Sequence, residues 1–334
     1  MHSTSSGTLA GISGILPVTG KLTRISRILP VLAVVLLCCT GRADGQELPV
    51  YQLYLHHPAL VNPAIIGSGD CSEIKLIDRH QWIGAFNGAP KTQVLAAETS
   101  IPSKEFRTHG LGLQVVNDAN GAFRQLAASF GYAYHIALDR AGSLKLGFGL
   151  AATVRQNTCD ERDFSPIYDP SVTRGLHREI RPDASTGVYL QGSRFFAGLS
   201  AVQLLASGST LDANRPERGY FAGGGYSLPV SGVVDLQPGL MVKYLSGEFQ
   251  SDLNVRATYR ESYRVMLSYR HAWWDFPGSP AVLLVGAGMD YRNFSFGYAY
   301  EAGLTSMQKY GYGSHEFMVG YRFCPRRRPC PAYL

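Results

Sequence analysis

A transmembrane β-barrel of about fourteen antiparallel strands is the fold this sequence predicts, on three observations. The first is strict alternation near the C-terminus. In residues 314–323, His315, Phe317, Val319, Tyr321 and Phe323 share one face, and Glu316, Met318, Gly320 and Arg322 share the other. A barrel wall turns such an apolar face to lipid and the small, polar face to the lumen. The second is composition. Charged residues are 17% of the chain, against about a quarter in soluble domains. There are 37 glycines and 19 tyrosines, suited to a crowded lumen and to interfacial girdles. Beyond the leader, no run reaches the roughly 18 apolar residues of a spanning helix. The third is the lengths of the connections.

The elements follow in order. Lys21, Arg24 and Arg27 precede the apolar run 28–39, and Gly41-Arg42-Ala43 offers a small-x-small cleavage site. That run is about a dozen residues, too short to span a bilayer, so residues 1–43 read as a signal peptide with a long n-region. Cys38 and Cys39 follow leucines, which argues against a lipid anchor. Residues 44–72 are expected as a periplasmic strap, 73–323 as the barrel, and 324–334 as a Cys/Arg-rich periplasmic tail.

Alternation places strands near 73–82, 91–100, 109–118, 123–138, 143–155, 182–192, 194–205, 219–228, 232–245, 250–259, 262–273, 280–291, 293–302 and 314–323. In the fourth, Leu126, Phe130, Tyr132 and Ile136 oppose Gln125, Ser129, Gly131 and His135. The long connections, 156–181, 206–218 and 303–313, fall at odd positions and the short ones mostly at even positions. Outer-membrane barrels keep that asymmetry, with both termini and the short turns in the periplasm. A soluble sandwich has no reason to.

Chemistry is sparse. The net charge of +6 owes much to the leader and to Arg326, Arg327 and Arg328, and no basic stripe interleaved with aromatics points to nucleic acid. Cys71, Cys159, Cys324 and Cys330 follow the leader. Cys324 and Cys330 bracket Pro-Arg-Arg-Arg-Pro and are a candidate disulfide, with Cys71 the other possible partner of Cys324. No metal constellation or cofactor motif stands out. Ser129 and His135 share a face but lie about 20 Å apart at strand rise, too far for a nucleophile and its base. His80 and His315 would approach on closure. No enzyme is expected. Arg260, Arg264 and Arg270, with Glu248, Asp252 and Glu261, are expected to line a polar lumen.

Several segments resemble the PorP/SprF family of Bacteroidota outer-membrane proteins. Pro58-Ala59-Leu60-Val61-Asn62-Pro63-Ala64 is similar to its opening motif. Arg79-His80-Gln81-Trp82-Ile83-Gly84 and Gly88-Ala89-Pro90-Lys91-Thr92 are similar to its Arg-x-Gln-Trp-x-Gly and Gly-Ala-Pro-x-Thr elements. Residues 110–118, ending in Asn117-Asp118, resemble its Gly-Leu-Gly strand, and Tyr321-Arg322-Phe323 its closing strand. His56-His57 and the tail depart from the pattern. The resemblance implies an outer-membrane component of type IX secretion, serving protein secretion, adhesin export or gliding. It implies as partners a PorK/PorN-type periplasmic ring and a peptidoglycan-binding protein, beside outer-membrane lipid.

Candidate docking or motif residues are Asn62, Pro63, Gln81, Trp82, Gly84, Gly88, Pro90, Asn117, Asp118, Arg326, Arg327 and Arg328. By composition alone Asn62-Pro63 is a turn signal, and Trp82 also suits an aromatic girdle. The alternative function is a fatty-acid-transporter-like channel for small hydrophobic molecules. It calls for an N-terminal plug, for which the pre-barrel segment looks short.

Overall fold

The computed structural model describes residues 53–103, 107–162, 175–205, 218–245, 247–273, 281–304 and 312–324. The expected signal peptide, most of the 324–334 tail and Arg326 to Arg328 lie outside them.

One antiparallel sheet closes on itself. Its strands are β1 Ser72–His80, β2 Lys91–Pro102, β3 Arg107–Asn120, β4 Phe123–Ala137, β5 Lys145–Asp160, β6 Leu176–Gln191, β7 Phe195–Val202, β8 Gly219–Tyr226, β9 Leu228–Ser231, β10 Val234–Leu245, β11 Glu248–Tyr259, β12 Tyr263–Ala272, β13 Ala281–Tyr291, β14 Phe294–Gly303 and β15 Ser314–Phe323. β8 and β9 both pair with β10 and occupy one wall position, interrupted at Ser227. The wall is therefore fourteen strands around. Ser227 fills the break: its hydroxyl donates to Asp235 Oδ2 at 2.6 Å.

Closure runs from Ser72↔Phe323 to His80↔His315, joining β1 to β15. It leaves no sheet edge, so wall carbonyls and amides are paired within the protein, as lipid requires. The expected faces hold. Leu76, Leu95, Leu113, Phe130, Leu150, Leu199, Val265 and Phe317 point outward and are exposed, whereas Lys75, Arg79, Thr92, His135, Lys243, Asp252 and Glu316 point inward and are buried.

All fourteen expected strands are present, with shifted ends. β5 and β6 have 16 residues each, against the roughly 9–11 a tilted strand needs to cross a bilayer. Residues 156–160 and 176–181 of the expected 156–181 loop are therefore strand, and carry the β5–β6 pair beyond the bilayer at the end with the longer loops. There the outward positions need not be apolar, so Gln156 and Thr158 carry no alternation signal. β2 and β3 also run on, leaving only 103–106 between them, and β3–β4 joins through 121–122 despite its odd position. Arg260 and Glu261, expected in the lumen, instead form the β11–β12 turn, with φ of 49° and 56°. Two such residues make the turn that matches strand twist, and both are exposed. In the β4–β5 turn, Asp139 accepts from Leu144 N at 2.9 Å and from the Ser143 hydroxyl. These bonds hold its carboxyl below the usual carboxylate range.

Candidate functional site in the barrel lumen

The segment expected as a periplasmic strap lies inside the barrel over residues 53–67. Two 3-10 turns, Pro58–Leu60 and Pro63–Ile65, make it compact. Each begins with proline, whose fixed φ suits a first helical position and whose missing N–H costs nothing there. Asn62 caps the second: its Oδ1 accepts from Ala64 N at 2.9 Å. Its Nδ2 donates to Val188 O on β6 at 3.1 Å and to Leu199 O on β7 at 3.4 Å.

Wall contacts continue around the lumen. Ser200 Oγ donates to Val61 O at 2.6 Å, and His135 Nε2 donates to Ile66 O at 2.9 Å. Gln114 Nε2 meets His57 Nε2 at 3.2 Å, and Asn254 Nδ2 donates to Tyr54 OH at 2.8 Å. Strands β3, β4, β6, β7 and β11 thus all hold this plug. Wall glycines make the room: a Cβ on Gly110 would overlap Ile66 O, one on Gly149 would overlap Ala64 N, and one on Gly187 would overlap Asn62 Oδ1. Leu53, Val61, Ala64 and Ile66 are almost fully buried.

Above the plug's first residues runs a chain of buried charges of alternating sign. Glu316 on β15 pairs with Arg79 on β1. Arg79 Nη2 lies 3.1 Å from Glu301 Oε1 on β14, and Arg270 Nη1 on β12 lies 3.0 Å from Glu301 Oε2. Arg270 Nε then meets Asp252 Oδ1 on β11 at 3.2 Å, and Lys243 Nζ on β10 meets Asp252 Oδ2 at 3.1 Å. Three cations balance three anions. Isolated buried charges would cost several kcal/mol each; a balanced chain offsets that with charge-assisted bonds. The plug joins at both ends: His56 Nε2 lies 3.3 Å from Glu316 Oε2, without hydrogen-bond alignment. Lys243 Nζ sits 4.9 Å from the centre of the Tyr54 ring. A smaller cluster joins Arg264 to Asp290 at 2.7 Å and Arg322 to Asp290 at 2.6 Å.

The sequence-derived site residues divide between two places. Asn62 and Pro63, expected among docking residues, are buried in the lumen and touch the wall. The other described ones gather at the long-loop rim, while Arg326, Arg327 and Arg328 lie outside the described residues. Gln81 N donates to Pro90 O at 2.9 Å, closing the β1–β2 loop, and Gly121 N donates to Gly88 O at 2.9 Å. Gly84, at φ 80°, faces the Tyr312 ring. Trp82 is partly exposed, 6.2 Å from the Phe86 ring. Thr92 Oγ1 donates to Asp118 Oδ1 at 2.6 Å, and Asn117 Nδ2 donates to Gln93 Oε1 at 3.2 Å.

Cys324 is bonded to Cys71, with Cα atoms 4.4 Å apart, and not to Cys330. The physical reason is the seam: Ser72 pairs with Phe323, so the residues just outside it face each other. Of the expected lumen charges, Arg264, Arg270 and Asp252 are inside. Ser129 bonds Thr153 and His135 bonds the plug, so the two do not meet. His80 and His315 are register partners on the outer face, bonded separately to Asp78 and Tyr298. Sequence reasoning missed Arg79, Glu301, Glu316 and Lys243 as one group. A charge on the lumen face of an otherwise apolar strand was the available signal.

Comparison with solved structures finds barrels at low similarity. A porin mutant of Rh. blastica is 9% identical, covering 76% of this chain and 99% of its own, with a TM-score of 0.36. BamA from Haemophilus ducreyi lacking POTRA domains 1–3 is 9% identical, covering 85% and 80%, with a TM-score of 0.42. CdiB from Acinetobacter baumannii is 8% identical, covering 76% and 60%, at 0.41. No curated protein sequence matches the chain. The family model described as type IX secretion system membrane protein PorP/SprF matches residues 43–321. That match spans the plug and all fourteen wall positions, stopping two residues short of the end of β15, and with the closed barrel it places the protein in the outer membrane: the chain belongs to the PorP/SprF family of type IX secretion system membrane proteins.

Proposed function

We propose that the barrel is a docking scaffold of type IX secretion and conducts nothing itself. In this reading the short-turn end faces the periplasm and holds a PorK/PorN-type ring and its peptidoglycan-binding partner. The observation that carries it is the filled lumen: residues 53–67 are bonded to the wall strands, and a balanced ion chain backs them. A wall of fourteen strands is wide enough to enclose more than its own side chains, and here the extra space is given to a built-in segment. The disulfide adds support, since it ties the plug's exit to the end of the last strand at the short-turn end. Docking contacts are proposed there, including Arg326, Arg327 and Arg328.

The channel alternative gains one observation. The pre-barrel segment, which looked short for a plug, does plug the lumen. Uptake into liposomes separates the two readings. A scaffold leaves a labelled fatty acid and a small sugar outside, at the rate of empty liposomes. Protein-dependent uptake of either overturns the scaffold.

A further inference from the structure

Between the plug and the wall of β6 to β12 lies a cavity of about 130 Å³. That is close to the roughly 150 Å³ of an engineered apolar cavity that accepts benzene. Gly198 on β7, Gly223 on β8 and Gly239 on β10 all line it. Its apolar surface includes Val61 from the plug with Phe221 and Met241 from the wall. The lining leaves a mainly apolar slot in which an alkyl chain would find dispersion contacts on several sides.

The cavity is also polarised. Phe221 and Met241 lie toward the long-loop end of their strands. Gln237 and Arg256, which are register partners, lie near the short-turn end, where Arg194 from the β6–β7 turn also borders the space. Two arginines line it, and no Asp or Glu does among the described residues. Arg256 Nη2 donates to Leu55 O at 3.4 Å, while its Nε has no hydrogen-bond partner among the described residues. Ser268 Oγ and Asn254 Oδ1 on the same wall are likewise without one, and Ser268 is only 1% exposed. Arg264 nearby is already bonded twice to Asp290. What remains is an apolar slot with one cationic, unsatisfied end.

We propose that this cavity binds a single-chain anionic amphiphile, with its alkyl end against Phe221 and Met241 and its head at Arg256 and Gln237. The head is a carboxylate or a phosphate; both accept from a guanidinium in the same way. The site is independent of whether the barrel conducts, since a resident amphiphile suits a scaffold as well as a channel.

The test is equilibrium binding of decanoate, decyl phosphate and decanol to the full chain held in amphipol without detergent. Saturable binding near one per barrel is expected, with at least one anion about tenfold or more tighter than decanol, the step that a charge-assisted bond supplies. Arg256→Gln should remove that preference and leave decanol binding unchanged. Ser268→Leu should fill the slot and abolish all three. The smaller Gly239→Ala, whose methyl would lie 3.2 Å from Gly224 O, should weaken all three even if the larger change fails to fold. The ratio of decanoate to decyl phosphate affinity identifies the head. No saturable binding, or binding that every folded variant keeps, overturns the proposal.

Discussion

Arg79 on β1 and Glu316 on β15 are fully buried ion-pair partners across the seam where the first strand meets the last. They are also one end of the charge chain, so removing one leaves an uncompensated charge, while removing both leaves Glu301, Arg270, Asp252 and Lys243 in balance. Glu316→Leu is expected to destabilise the barrel by about 3–5 kcal/mol. The double variant Arg79→Met/Glu316→Leu should recover most of that loss. Heat-dependent migration in gels, read as the temperature at which the folded band disappears, checks the order. A double variant no better than the single would show that packing, not charge balance, sets the cost.

Asn62 holds the plug at one capping bond and two wall bonds. Asn62→Ala is expected to cost about 0.5–2 kcal/mol through the cap alone and to loosen the plug. Gly187→Ala should do the same from the wall side, because its methyl would occupy the space of Asn62 Oδ1. Faster proteolytic cleavage within 53–67 in both variants, with the wall intact, is the result to look for.

The Cys71–Cys324 bond closes a sequence separation of 253 residues. Cross-links over long loops typically contribute about 2–4 kcal/mol. Changing both cysteines to serine should lower the unfolding temperature, and reduction should do the same to the wild type but not to the variant. Hydrogen exchange should rise first at Ser72 to Ile74 and at Tyr321 to Phe323, where the seam is then no longer clamped.

Burial pushes the His57 imidazole well below its ordinary value, with the Lys75 ammonium acting in the same direction. The folded state therefore keeps His57 neutral where the unfolded chain binds a proton. Its contribution is unaffected above about pH 6.5 and turns against folding as the pH falls below that value, by up to about 1.4 kcal/mol per unit. The melting temperature should drop between pH 7 and pH 5, and His57→Gln should flatten that slope relative to the wild type.

Much of the wall was legible because lipid and lumen impose opposite demands on successive residues. The stretch Phe294, Phe296, Tyr298 shows this, with Ser295 and Gly297 between. The signal fades where either demand is lifted. Beyond the bilayer, Gln156 to Asp160 continue β5 with no apolar face, and at Ser227 the strand is interrupted while its register against β10 carries on. The lumen was less legible for another reason. Asn62 announces a turn in sequence, but that the turn sits against Val188 and Leu199 depends on partners more than 120 residues away. The same holds for Arg79 with Glu301 and Glu316. Long-range pairing leaves no local trace, and a polar residue on a lumen face reads the same whether it meets water, a charge or a plug.

The role proposed for this outer-membrane barrel is the docking of a periplasmic assembly. It is tested most directly by affinity purification of the tagged full chain from detergent-solubilised outer membranes, with mass spectrometry of what accompanies it. Recovery of PorK/PorN-type ring proteins and a peptidoglycan-binding protein is the expected result. A clean barrel with no protein partner would contradict it.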